Sequence, residues 1–123
     1  MLNEKLLLLG ALGHTLLIAI LSFISIDSFP TIGTDSDDKI YHCLAYTVLM
    51  LLWYLALRNV PEKSYIFKIA VSCFSYGMII EVLQGVLATH RKFELADQLA
   101  NLIGLCIAIL IITAGERLIV KKK

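Results

Sequence analysis

The chain has 123 residues, 59% of them hydrophobic and 17% charged, with a mean hydropathy of +0.81 and a formal net charge of +1. Soluble globular domains carry about a quarter charged residues, so this balance describes an integral membrane protein, and a chain of this length is expected to form a single domain over residues 1–123. Eleven scattered Lys and Arg with no basic face argue against nucleic acid as a partner. Cys43, Cys73 and Cys106 lie far apart in apolar segments without C-x-x-C spacing, which predicts buried free thiols rather than a metal or redox centre.

Residues 6–26 are apolar apart from Gly10, Gly13, His14 and Thr15, enough for about 20 spanning residues. The run is too long for a signal-peptide core and ends without a small-x-small cleavage site, so it reads as an uncleaved anchor. Residues 27–38, with Pro30, Gly33 and four aspartates, read as an acidic loop. A second span follows over 39–57, with Tyr41, Tyr46, Trp53 and Tyr54 suited to interfacial belts. Pro61 breaks the short polar connection after Arg58, and the third span covers 66–88. After the polar stretch 89–97, the fourth span runs over 98–114, followed by Glu116, Arg117 and the terminal lysines. The expected fold is all-α, a four-helix transmembrane bundle. Lys5, Arg58, Lys63, Lys68, Arg117 and Lys121 to Lys123 on one side, against Lys39, Arg91 and Lys92 on the other, place both termini in the cytoplasm.

With that topology the polar residues gather in the outer half. Asp38, His42 and Tyr46 recur every four residues at the outer start of the second helix. Glu81 and Gln84 share a face of the third helix, Glu81 about 10 Å below its outer end. Asp97 and Asn101 open the fourth helix, with Arg91 in the loop above and Lys39 beside Asp38. A carboxyl group facing lipid costs on the order of 3 kcal/mol or more, so Glu81 needs a partner or a task. Convergence of the three helices would make a polar pocket open to the extracytoplasmic side, suited to an amphiphile with an anionic head and a lipid tail.

Three pieces of this pattern resemble a known family. Asp38, Lys39, His42 and Tyr46 are similar to the D-K-x-x-H-x-x-x-Y signature of VanZ-like membrane proteins; Gly77, Glu81 and Gln84 are similar to their G-x-x-x-E-x-x-Q. Arg91, Asp97, Asn101 and Gly104 resemble their R…D-x-x-x-N-x-x-G, in the same order along the chain. Lys92, Phe93 and Glu94 depart from the pattern and leave Glu94 without an implied role. The resemblance implies a multi-pass protein of the bacterial cytoplasmic membrane and cell envelope. The family takes its name from a protein linked to resistance to teicoplanin, a lipoglycopeptide, and brings no defined reaction with it.

Each residue also has a plainer reading. Glu81 and Gln84 can act as hydrogen-bonding glue between helices, Asp38 and Asp97 as helix-start residues, Tyr46 as a core aromatic and His14 as a packing group. Gly77, Gly85 and Gly104 most simply permit close helix approach. The first functional expectation is a pocket formed by Asp38, Lys39, His42, Tyr46, Glu81, Gln84, Arg91, Asp97 and Asn101 that binds a lipid-linked anionic ligand or a lipoglycopeptide without chemistry or a metal. A second is an intramembrane enzyme acting on a lipid phosphate or ester, with His42 and Glu81 as acid and base or joined by Asp38 and Asp97 around a divalent cation. A small transporter, which would require oligomerisation, ranks third. The sequence carries no nucleophile elbow, zinc-protease motif or P-loop to favour the enzyme.

Overall fold

The computed structural model describes residues 3–23, 37–61, 64–87 and 94–122, and among these every regular element is a helix. The four are α1 (Glu4–Ser22), α2 (Asp37–Leu57), α3 (Tyr65–Leu87) and α4 (Leu95–Lys122). Asn3 caps α1 by accepting the Lys5 amide on its side-chain oxygen at 3.0 Å, and Glu4 complements the positive end of the helix dipole. The end of α2 is closed by the Val60 amide bonding to the Leu57 carbonyl at 2.9 Å, just before Pro61. At about 1.5 Å per residue even the shortest helix, with 19 residues, matches a hydrocarbon core about 30 Å thick.

The first two helices each begin two residues earlier than expected and α3 one residue earlier, residue 88 of the expected third span lies outside the described residues, and two further boundaries differ. Within the described residues α1 ends at Ser22, and residues 24–26 of the expected first span lie outside them. The fourth helix begins three residues earlier than expected and runs through Glu116 and Arg117 to Lys122. Polarity marks where a helix leaves the apolar layer; it does not stop the backbone, and Glu, Arg and Lys are good helix formers.

The bundle is apolar outside and buries several polar side chains within an otherwise apolar interior. Phe67, Val86 and Leu110 are more than two-thirds exposed, whereas Glu81, Gln84 and Asn101 are completely buried. Such a surface suits lipid, and together with four helices long and apolar enough to cross a membrane it makes this a multi-pass membrane protein. The thiols are free as expected, but only Cys73 is buried; Cys43 is half-buried and Cys106 exposed on the apolar surface. Solvent-averse chemistry does not force a thiol inward when the surroundings are hydrocarbon.

Helices consecutive in the chain run antiparallel, so α2 and α4, which pack side by side, run parallel. Asn59 reaches Glu4 and the Tyr54 hydroxyl donates to Glu116 at 2.9 Å at one end, while Lys39 meets Asp97 at the other. The α2–α4 pair has the most extensive contact, α1 lies on α2, and α3 leans chiefly on α4. Leu49, Met50, Leu105, Ala108 and Ile112 fill the α2–α4 core. His14 takes the packing position expected of it, its Nε2 2.9 Å from the Ala45 carbonyl oxygen on α2, and the Trp53 indole donates to Thr15 at 3.0 Å.

The α2–α4 approach depends on Gly104. A Cβ there would lie 2.3 Å from the Cys43 carbonyl oxygen and 3.2 Å from the Thr47 nitrogen, so a side chain at this position meets backbone that cannot rotate away. The Thr47 hydroxyl fills the same seam, 2.8 Å from the Cys43 carbonyl oxygen and 3.0 Å from that of Gly104. Gly77 plays the corresponding part on α3, facing Asn101, Tyr46 and Gln98, whereas Gly85 is exposed. Gly104→Ala is expected to cost about 1–3 kcal/mol by forcing α2 from α4. Gly115→Ala, where a Cβ meets nothing within 4 Å, should be neutral or stabilising by up to about 1 kcal/mol. Reversible unfolding in detergent micelles measures both.

Candidate functional site

The site lies where α1 and α3 end and α2 and α4 begin. Asp38, Lys39 and His42 come from the first turns of α2, Asp97 and Asn101 from those of α4, and Glu81 from the last two turns of α3. A helical spacing of four puts Asp38 over His42 and Asp97 over Asn101. The seam at Gly104 then sets these two pairs opposite each other.

The Lys39 ammonium is the electrostatic centre. Its Nζ lies 2.5 Å from Asp97 Oδ1, 2.5 Å from Glu94 Oε2 and 3.3 Å from Asp38 Oδ2. The Asp97 side chain is only 6% exposed, so its bond to Lys39 forms largely out of water, where charge-assisted contacts are strong. Lys39, expected among the residues of the pocket, is engaged by three carboxylates of the protein. The reason is tertiary: Glu94 and Asp97 flank the start of α4, and that start packs directly against the start of α2.

Below Lys39 a chain of amides fixes the state of His42. Gln98 Nε2 donates to the backbone carbonyl of Phe74 at 3.1 Å. A carbonyl only accepts, so the Gln98 nitrogen must face Phe74 and its Oε1 must turn toward Asn101, whose Nδ2 donates to it at 3.2 Å. Asn101 Oδ1 is therefore the atom that meets His42 Nδ1, at 3.0 Å, and Nδ1 carries the hydrogen. The other nitrogen, Nε2, faces Asp38 Oδ1 at 3.6 Å and Asp97 Oδ2 at 3.7 Å. Glu81, fully buried, places Oε1 3.8 Å from His42 Nδ1.

Six of the residues singled out from the sequence thus come together: Asp38, Lys39, His42, Glu81, Asp97 and Asn101. Tyr46 is 2% exposed and packs in the hydrophobic core with its ring against Gly77, and it also lines a groove between α1 and α2 beside His42. Gln84 turns away from His42 and donates to the Ser22 carbonyl, tying α3 to the end of α1. Arg91 lies outside the described residues. Two participants had no assigned role, Gln98 and Glu94. Gln98 stands three residues before Asn101, a spacing that puts both amides on one helical face and could have revealed it. Glu94 is brought in by its place just before α4, for which its sequence context offers no sign.

These features define a multi-pass membrane protein whose four apolar helices enclose a cluster of ionisable and amide side chains toward one end. The chain belongs to the VanZ/LLP1 family, whose model matches residues 15–119, a span that contains every member of the cluster. No curated protein and no solved structure matches it.

Removing the ammonium should strand three carboxylates. Lys39→Met is expected to destabilise the bundle by about 1–3 kcal/mol. Adding Asp97→Asn should restore about half of the loss, because the two residues share one interaction. A double-mutant cycle of detergent unfolding measures the coupling.

Proposed function

We propose that the protein binds the head of a lipid-linked envelope ligand, of the wall-precursor or lipoglycopeptide kind, at this polar end of the bundle. The observation that carries the reading is a groove of about 420 Å³ between α1 and α2 that joins two chemistries. Asp38, Tyr41 and His42 line its polar end; Ile18, Leu44 and Val48 form its apolar wall. Leu44 and Val48 are 58% and 42% exposed, so the wall continues into the lipid-facing surface. An amphiphile could lay its tail along that wall and its head against the carboxylates and imidazole without leaving the bilayer.

Size alone does not select this groove. A second groove of equal volume, about 420 Å³, lies at the opposite end beside Trp53, Tyr65, Lys68 and Tyr76, and the described residues that line it include no carboxylate or imidazole. The ionisable cluster is what distinguishes the first. With both termini in the cytoplasm, as the loop charges favour, the cluster faces outward, toward the leaflet in which wall precursors are consumed. Because Lys39 is engaged by carboxylates, recognition by the described residues favours the hydroxyl and amide donors of a sugar or peptide head. The teicoplanin link of the family's namesake belongs to the same reading, since a lipoglycopeptide presents sugars, amides and an acyl chain.

Filling the groove tests the proposal. In nanodiscs, Val48→Trp is expected to weaken binding of a polyprenyl-linked sugar by more than about tenfold, while Leu110→Trp on the remote lipid-facing surface leaves it unchanged. Native mass spectrometry or tryptophan quenching reports the affinity. Equal binding by wild type and both variants would rule out this groove as the site.

A further inference from the structure

We propose that Asp38, His42 and Asp97 form a binding site for a first-row divalent metal ion of the Zn2+ or Mn2+ kind. This goes beyond amphiphile recognition and does not depend on it. Each residue offers one donor atom, and the three atoms lie within 4.8 Å of one another.

The separations discriminate between a hydrogen bond and a shared ion. His42 Nε2 is 3.6 Å from Asp38 Oδ1 and 3.7 Å from Asp97 Oδ2, beyond the range of about 2.7–3.2 Å for a nitrogen–oxygen hydrogen bond. Two atoms bound at about 2.0–2.2 Å to a tetrahedral ion stand about 3.3–3.6 Å apart. The two imidazole–carboxylate edges are therefore close to those of a bound site, and the three donor atoms, within 4.8 Å of one another, would draw together to close on an ion.

The amide relay supplies an independent reason. Because the Phe74 carbonyl orients Gln98, Gln98 orients Asn101, and Asn101 accepts from His42 Nδ1, the neutral imidazole has its lone pair on Nε2. That nitrogen lies 3.6 and 3.7 Å from two carboxylate oxygens, an arrangement that repels unless a metal ion or a proton on Nε2 lies between them. An outer partner that holds the far nitrogen of a histidine in this way is the usual support of a metal-ligating imidazole.

Lys39 does not fill this position. Its contacts are with Asp38 Oδ2 and Asp97 Oδ1, the opposite oxygen of each carboxylate, so the ammonium orients both groups from one side and leaves Oδ1 of Asp38 and Oδ2 of Asp97 toward His42. Among the described residues of the cluster, Lys39 is the one permanent cation against Asp38, Glu81, Glu94 and Asp97, and a divalent ion offsets the excess negative charge. One imidazole with two carboxylates suits Zn2+, Mn2+ or Fe2+ better than Ca2+ or Mg2+, which prefer all-oxygen shells. Three protein ligands leave a further coordination position, and Asp38 and His42 both line the α1–α2 groove from which an exchangeable oxygen ligand would reach it.

The full chain, purified with a chelator, placed in nanodiscs and dialysed against Zn2+, Mn2+, Ca2+ or Co2+, tests the site. The expected result is one Zn2+ or Mn2+ per chain by elemental mass spectrometry, no retained Ca2+, and a Co2+ ligand-field spectrum that disappears in His42→Ala. Asp97→Asn, close to isosteric, should weaken the ion by more than about 100-fold, and Asn101→Leu, which touches no ligand oxygen, by about 10–100-fold through loss of the imidazole's orientation. Glu94→Gln, at a half-exposed carboxylate that meets Lys39, should change affinity by less than about threefold. Circular dichroism and gel filtration of each variant establish that the bundle is retained. An absence of stoichiometric ion in wild type would overturn the proposal in favour of a proton shared at Nε2, and an ion retained at unchanged affinity in both His42→Ala and Asp97→Asn would overturn it in favour of a site elsewhere.

Discussion

Charges in an apolar bundle must be offset by one another, because hydrocarbon offers no hydration, and the ionic knot at Lys39 meets part of this requirement at the end of the bundle. One ammonium joins Asp38 beside it on α2 to Glu94 and Asp97 at the start of α4. The contact is both electrostatic and architectural, since it holds together the ends of two helices that are joined in sequence only through α3. A charge that had to find water would instead pull the start of α2 toward the membrane surface and open the site.

The knot in turn depends on how closely α2 and α4 can pack. In a membrane no hydrophobic effect drives helices together, so close association rests on dispersion and interhelical hydrogen bonds, and both fall off within fractions of an ångström. Gly104 allows its backbone to touch that of Cys43, and Thr47 donates into the seam so formed. Gly77 lets α3 approach the amides of Gln98 and Asn101 in the same way. The glycines thus act on the site from outside it, by setting the separation across which Lys39 meets Asp97 and His42 meets Asn101.

Within that frame the polar side chains divide into two kinds of work. Gln98 and Asn101 are fully engaged with neighbours and transmit an orientation from the Phe74 carbonyl to His42. Asp38 and His42 also line the α1–α2 groove, where a ligand can meet them. The span matched by the VanZ/LLP1 family model, residues 15–119, contains both kinds.

The number and approximate extent of the spans were legible from the sequence, because a bilayer fixes the length of an apolar run by its thickness. Helical spacing also placed Asp38 with His42, and Asp97 with Asn101, on single faces before any packing was known. What spacing cannot express is the rotation of each helix about its axis, which depends on side chains of its neighbours. That rotation sends Gln84 to the end of α1 while Glu81, three residues earlier, faces His42. It also makes Tyr46 a core residue and Lys39 the centre of an internal ion cluster. The awkward carboxyl at Glu81 was therefore a property of the sequence, whereas its imidazole neighbour, and the direction in which that imidazole presents its free nitrogen, were decided only when three helices closed around it.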